Sequence, residues 1–391
     1  MKYFTITILV LLFLLFCFTT NSNIKDNPEH DFKKQWEVVD SLENIGQPKA
    51  ALKLVDEILK QAAIVKADVV VIKAIIYKMK LNSEYKEGAF EENINFLEDY
   101  LHKATFPNTA ILHSITAEMY WQYLSRNRYK IQNRMIINDI KTEQLNTWDE
   151  KMFARKILEH YQASLKNPEK LMLISREKYI YIIKEGKHTD IYRPTLLDFL
   201  AHRALSFYTS AHWGFSKSAN GFILNQPQLF GPNYVFTSYH FTPIDSFSLA
   251  LHTIKTYQLL LKLRMKSKNI DALYDVDIDR INYVYRKSVL ENKDSLYVNY
   301  LTSELNKNKN MPVAVRLAGQ LSDYYMTLAN RYDYSDTATK QYRYYYLKAA
   351  QLCQKYIDKF PQNLFTPHLR NNLIEINKKS LSLKFENIIP V

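Results

Sequence analysis

The chain has 391 residues, 47% of them apolar, enough to bury a core in one large repeat array or in two to three ordinary domains. Seven glycines and twelve prolines are too few for an all-β protein, which needs a tight turn about every ten residues, and too few for a disordered chain. The net charge is +12, but the cations are spread out and alternate with acids, as in KQWEVVDSLE, so no basic face stands out to mark a nucleic-acid or anionic-membrane partner, and a Lys-rich surface of an exported protein is expected.

Lys2, an unbroken apolar run from Ile8 to Phe18 and a small polar tail to Asn23 have the pattern of a secretory signal. The run is short for a membrane-spanning helix, which needs about twenty residues. The chain is therefore expected in the periplasm or cell envelope, touching the membrane only through this segment. Cys17 raises lipid attachment as an alternative, but a lipoprotein signal wants a small residue before the Cys, and Phe16 stands there. The only other cysteine, Cys353, is spaced to lie beside Ala349, Ala350 and Tyr356 as a core thiol.

Helical periodicity then runs along the chain. Phe32, Trp36, Val39 and Leu42 make one stripe over 32–45. Gly46 and Gln47 break it, Pro48 opens the next helix, and Ala51, Leu52, Val55, Ile58 and Leu59 line that helix's inner face. A Trp, a break and an Ala-rich second helix resemble one tetratricopeptide pair, although no fixed period recurs. Further helices are predicted at 67–82, 87–104, 107–126 and 175–185. TWDE at 147–150 reads as a capping box, with Thr147 as N-cap and Glu150 reaching back, before a helix carrying Phe153, Ile157, Tyr161 and Leu165.

The stretch RPTLLDFLAHRAL at 193–205 gathers Arg193, Asp198, His202 and Arg203. Pro194 is expected to open a helix whose inner side is Leu197, Leu200, Ala201, Ala204, Leu205 and Tyr208. Asp198 and His202, four apart, would pair on its surface. A catalytic dyad would need a nucleophile and a pocket, and neither is indicated nearby. The segment 212–244 differs: it holds three of the seven glycines, and YVFTSYHF alternates as a short strand would. So long an insertion in a helical protein is the expected contact surface, through Trp213, Phe215, Phe222, Phe230, Tyr234, Phe236 and Tyr239. Helices resume at 245–267, 270–287, 294–306 and 312–331, with KLRMKSK at 262–268 as a cationic helix end. YRYYYLKAAQLCQKYIDKF and FTPHLRNNLIEIN continue the pattern. SLSLKFENIIPV then alternates as a β-strand, and the chain reads as cut short.

No HExxH, CxxC pair, P-loop or GxGxxG is present, so zinc and nucleotide chemistry have no local support and no cofactor is expected. GFSKS at 214–218 lacks the closing Gly of a nucleophile elbow. DVDID, Asp275 to Asp279, begins like a calcium loop but has Arg280 and Arg286 where that loop needs Gly and a bidentate Glu. On a helix its three Asp would point in different directions. No metal site is expected.

Several strings then carry a resemblance: WEVVDSLENIGQPKAALKLVDEI, AEMYWQY, TWDEKMF, YRPTLLDFLAHRAL and the closing NNLIEINKKSLSLKFENIIPV. In that order they resemble the N-terminal helical region of very large exported proteins of the alpha-2-macroglobulin family, of the kind found in Bacteroidota, and the resemblance covers essentially all of the mature chain. It implies a protease trap whose β-sandwich macroglobulin domains (MG2 among them) would follow the last strand. The trapping parts are not in this sequence: there is no bait region, and Cys353 is followed by Gln354 and Lys355 rather than by a thioester motif. No family functional residue carries over.

The expected organisation is a signal peptide at 1–23, an irregular all-α superhelical array at 24–380 with the 212–244 insertion, and the first strand of a truncated macroglobulin-like domain at 381–391. The expected function is a non-enzymatic exported interaction or scaffold module, whose partner is a protein or the family's downstream domains. The alternative is a stand-alone tetratricopeptide-like binder of peptides or glycans, using Trp121, Trp148 and Trp213 as stacking rings, with Trp36 in a helix–helix core.

Overall fold

A computed structural model describes residues 28–132, 144–210, 222–241 and 247–378. The signal segment, the strand expected at 381–391, Trp213 and Phe215 lie outside them. Among the described residues the protein is all-α, without strands; one isolated bridge pairs Ser175 with Thr195. No helix among the described residues is long and apolar enough to cross a membrane.

The chain divides into two compact units. The first comprises Met1–Lys166 and Lys178–Glu185, the second Asn167–Glu177 and Gly186–Val391. In the first, α1 (Pro28–Asn44), α2 (Pro48–Ile64), α3 (Asp68–Tyr85), α4 (Ala89–Leu101), α5 (Asn108–Arg126) and the short α6 (Arg128–Gln132) precede α7 (Glu150–Ser164). Chain neighbours pack together: α1 on α2, α2 on α3, α4 on α5, α5 on α7. The turn into α2 needs a left-handed residue, supplied by Gly46 at φ 72°, and Pro48 opens the helix where no N–H is required. Ala51, Val55, Ile58 and Leu59 are buried as the pattern predicts. Each such Val, Ile or Leu contributes about 1.5–3 kcal/mol relative to exposure. Trp36 is buried edge-on to Tyr77, with the Lys73 ammonium 4.0 Å from its ring centre.

In the second unit the short helices α8 (Pro168–Met172) and α9 (Thr189–Tyr192) lead to α10 (Leu196–Thr209). Then follow α11 (Asn233–Ser238), α12 (Leu249–Arg264), α13 (Ile270–Lys287), α14 (Lys293–Lys307), α15 (Ala314–Ala329), α16 (Tyr345–Lys359) and α17 (Thr366–Asn377). Again α12 packs on α13, α14 on α15, α15 on α16 and α16 on α17. Gly319 lets α17 approach α15: a Cβ there would sit 3.1 Å from the His368 ring. Cys353 is a free, fully buried thiol, and burial raises its pKa, which makes it inert.

Three local expectations are corrected. The predicted helix at 175–185 is only a 3-10 turn, Arg176–Tyr179. Its backbone bonds elsewhere: Arg176 N–H donates to the Pro194 carbonyl and Leu196 N–H to the Ile174 carbonyl, at 2.9 and 2.8 Å. The helix after TWDE is capped by Asp149, which accepts from Met152 N–H at 2.8 Å, while the Thr147 hydroxyl donates to the Gln144 carbonyl. Trp148, held extended between them, turns inward instead. The strand expected in YVFTSYHF is helical at 233–238, because tertiary bonds to its carbonyls outweigh its β-branched pattern.

Candidate functional site

RPTLLDFLAHRAL builds an ionic brace in the second unit. Thr195, not Pro194, caps α10 in a full capping box with Asp198. All the predicted inner residues of α10 are buried, but so is Asp198, at 0% exposure. It does not pair with His202 on the surface. Its Oδ2 accepts from Thr195 N–H at 2.9 Å, from the Thr195 hydroxyl at 2.6 Å and from the Arg264 guanidinium. Arg264, read as part of a cationic helix end, is itself buried. The brace continues through Arg193, whose Nε donates to Asp275 Oδ2 at 2.8 Å and whose Nη2 donates to Asp279 Oδ2 at 3.1 Å. Arg316 Nη2 donates to the other oxygen of Asp275 at 2.9 Å. Its guanidinium packs against the Tyr192 and Phe365 rings.

DVDID therefore lies on α13, and its three Asp sort onto two sides rather than three. Asp275 and Asp279, one turn apart, face Arg193; Asp277 faces away from them, toward Arg280 and Tyr300. His202, Asp275 and Asp279 each offer a ligand atom within 4.8 Å of the others, the one such group among the described residues. His202 Nδ1 sits 2.7 Å from the Asp198 carbonyl, so this nitrogen carries the proton and buried Nε2 keeps a lone pair without a hydrogen-bond partner. Burial, then Arg193, lowers the His202 pKa. Burial, then like-charged Asp275, raises that of Asp279. Burial opposes the charge of Asp275 too, but Arg193 and Arg316 outweigh it and its pKa falls.

Charge decides what this cluster is. Three carboxylates (Asp198, Asp275, Asp279) meet three guanidiniums (Arg193, Arg264, Arg316). A divalent cation would add two uncompensated charges inside a closed ion-pair network, where desolvation is costly. The arrangement joins α9, α10, α12, α13 and α15; it is a brace.

The insertion is anchored in the same way. Fully buried Arg280 donates from Nη1 to the carbonyls of Leu229 and Gly231, at 2.8 and 3.3 Å, and from Nη2 to Asp277 at 2.5 Å. Its guanidinium lies between the rings of Phe236 and Tyr300, 4.8 and 4.6 Å away. Gln258 Nε2 bonds the carbonyls of Phe236 and Tyr239, both at 2.8 Å. Of the expected contact residues, Phe230 and Phe236 are buried and face the core, not a partner. Phe222 and Tyr239 are half-buried, meeting through Phe241. Tyr234 alone of the five described is largely exposed, at 71%.

The first unit holds an aromatic and histidine cluster that the sequence did not reveal. Trp148 stacks on Tyr120, centroids 5.6 Å apart, and Phe153 stacks on Tyr123 at 5.3 Å. Trp148 is thus buried and has no ring face free for a sugar, and Trp121 is half-buried. Glu98 accepts from the Tyr120 hydroxyl at 2.7 Å and from His160 Nε2 at 3.0 Å. That bond leaves His160 Nδ1 as acceptor for His113 Nδ1–H, 3.0 Å away. Among the described residues, the hydrogen bonds of His113, His160 and His202 go to one another, to Glu98 and to the Asp198 carbonyl, and the hydroxyl in the relay is that of Tyr120, on Glu98.

This relay makes stability depend on pH. Burial, then His160, pushes the His113 pKa down from 6.5 to about 4. Burial opposes the charge of Glu98, but the hydrogen bond from His160 dominates with its other partners and brings it from 4.5 to about 2. Between 6.5 and about 4 the unfolded chain binds a proton at His113 that the folded chain refuses, so stability rises with pH and is complete above 6.5. With partial exposure discounted, wild type should lose about 1–2 kcal/mol more than His113→Gln when the pH falls from about 7 to about 4.5. Urea melts at the two pH values measure this; parallel losses in both proteins would remove His113 from the account.

No family model, curated protein or solved structure matches this chain.

Proposed function

We propose that the chain is a non-enzymatic interaction module, the helical N-terminal region of an exported protein similar to the alpha-2-macroglobulin family. One observation carries this reading. The strings on which the resemblance rests are the parts that build the two units. AEMYWQY and TWDEKMF supply Tyr120, Tyr123, Trp148 and Phe153 of the aromatic cluster. YRPTLLDFLAHRAL supplies Tyr192, Arg193, Thr195, Asp198 and His202 of the brace. Unusual strings used for architecture are what a shared scaffold would preserve.

On this reading the neighbour-to-neighbour helix packing is that of an irregular tetratricopeptide-like superhelix, which presents surfaces to partners. SLSLKFENIIPV leads into a macroglobulin domain. Ile374, 59% exposed on α17, with half-exposed Leu373 and Ile376, offers that domain an apolar foothold. The glycan- or peptide-binding alternative loses Trp148 as a stacking ring.

The test is to capture the native polypeptide from its cell envelope with an antibody to this chain and map it by mass spectrometry. Peptides from β-sandwich domains, on the same polypeptide or co-purifying, are expected. A native polypeptide no larger than 46.2 kDa with no such domain bound would overturn the proposal.

A further inference from the structure

The outward side of α16 brings cations and large apolar side chains together. Ala349, Cys353 and Tyr356 bury one side of this helix. On the opposite side, at helical spacing, stand Tyr344, Leu347, Lys348, Gln351 and Lys355. All are exposed, Tyr344 at 58% and Leu347 at 55%. Arg343 flanks them, and Tyr346 is 38% exposed.

The cations here are not neutralised. Among the described residues Arg343, Lys348 and Lys355 have no carboxylate partner and instead lie over tyrosine rings, Arg343 5.4 Å from Tyr344, Lys348 4.4 Å from Tyr345 and Lys355 5.6 Å from Tyr356. Of the nearby acids, Asp358 stands on this same side and keeps its charge, so the face sets three cations against one carboxylate; the others lie in their own loops or are paired. Asp358 accepts from Gln354, Asp333 from Ser335, Asp336 from Ala338 N–H, and Asp294 pairs with Arg331.

We propose that this face of α16 docks on a membrane surface rich in anionic phospholipid. Cations that ring protruding aromatic and aliphatic side chains on one helix suit the interface, where the ammonium and guanidinium groups meet phosphates and the tyrosine and leucine enter the headgroup boundary. A soluble polyanion would use the cations and leave Leu347 without a role. The proposal is independent of the family reading.

The test is co-sedimentation of the full-length chain with vesicles of phosphatidylglycerol and phosphatidylethanolamine, against vesicles of phosphatidylcholine. Whatever the N-terminal apolar run adds is common to wild type and variants. The triple variant R343Q/K348Q/K355Q should bind anionic vesicles about a hundredfold more weakly. The variant Y344S/L347S, of unchanged charge, should bind about tenfold more weakly. All five positions are exposed, and circular dichroism checks that each variant keeps its helices. Equal binding to both vesicle types, or a triple variant that binds like wild type, overturns the proposal. Undiminished binding by Y344S/L347S overturns it too, since the cations alone would then account for the attraction and the exposed tyrosine and leucine would not enter the headgroup boundary.

Discussion

Replacing Arg280 by Ala is expected to destabilise the second unit by about 3–5 kcal/mol, the usual cost of removing one partner of a buried ion pair. The residue is fully buried and serves both the ion pair with Asp277 and the carbonyls of Leu229 and Gly231. Without it, Asp277 keeps only the Tyr300 hydroxyl among its side-chain donors, and the two carbonyls lose their donor. The insertion should then loosen, since among the described residues its remaining pins are the Gln258 bonds and the Val289 N–H bond to the Leu224 carbonyl. Urea unfolding gives the first quantity and limited proteolysis within 222–241 the second. Arg280→Lys should recover little, because an ammonium cannot span two carbonyls and a carboxylate between two rings. A loss under about 1 kcal/mol with unchanged proteolysis would show that the insertion holds itself.

Asp198→Ala should cost a similar amount, about 3–5 kcal/mol, for a related reason. The carboxylate completes the capping box of α10 and, among the described residues, is the only ion-pair partner of buried Arg264, whose other side-chain hydrogen bond is to Thr195 Oγ1 at 3.4 Å. Arg264→Met alone leaves Asp198 buried and unpaired and should be nearly as damaging. The double variant Asp198→Ala with Arg264→Met removes both charges and should lose less than the sum of the two single losses, by about 2 kcal/mol or more. Additive losses in the double variant would mean that the pair does not couple, and that α10 depends on its cap alone.

These two sites also mark the boundary between what was readable and what was not. Apolar spacing placed the long helices within a few residues, and 270–287 coincides with α13. The inner face of α10, the Trp36 core and the buried Cys353 followed from the same 3.6-residue period. That period is a local property, carried by side chains one turn apart. It also assigned Asp198 wrongly, as a polar residue on the solvent side. Its partner Arg264 is 66 residues away, and those of Arg193 are 82 and 86 away. No local spacing can show that a buried carboxylate will be met by a guanidinium from another helix. The same holds for the insertion, where alternation favoured a strand and aromatic content a contact surface. A single arginine from α13 takes the carbonyls of Leu229 and Gly231 and the face of Phe236; Phe230 and Phe236 lie in the core, while Tyr234 stays exposed. Helices here are decided by neighbours in the chain; which polar residues lie inside is decided by charges that meet only once the chain has folded.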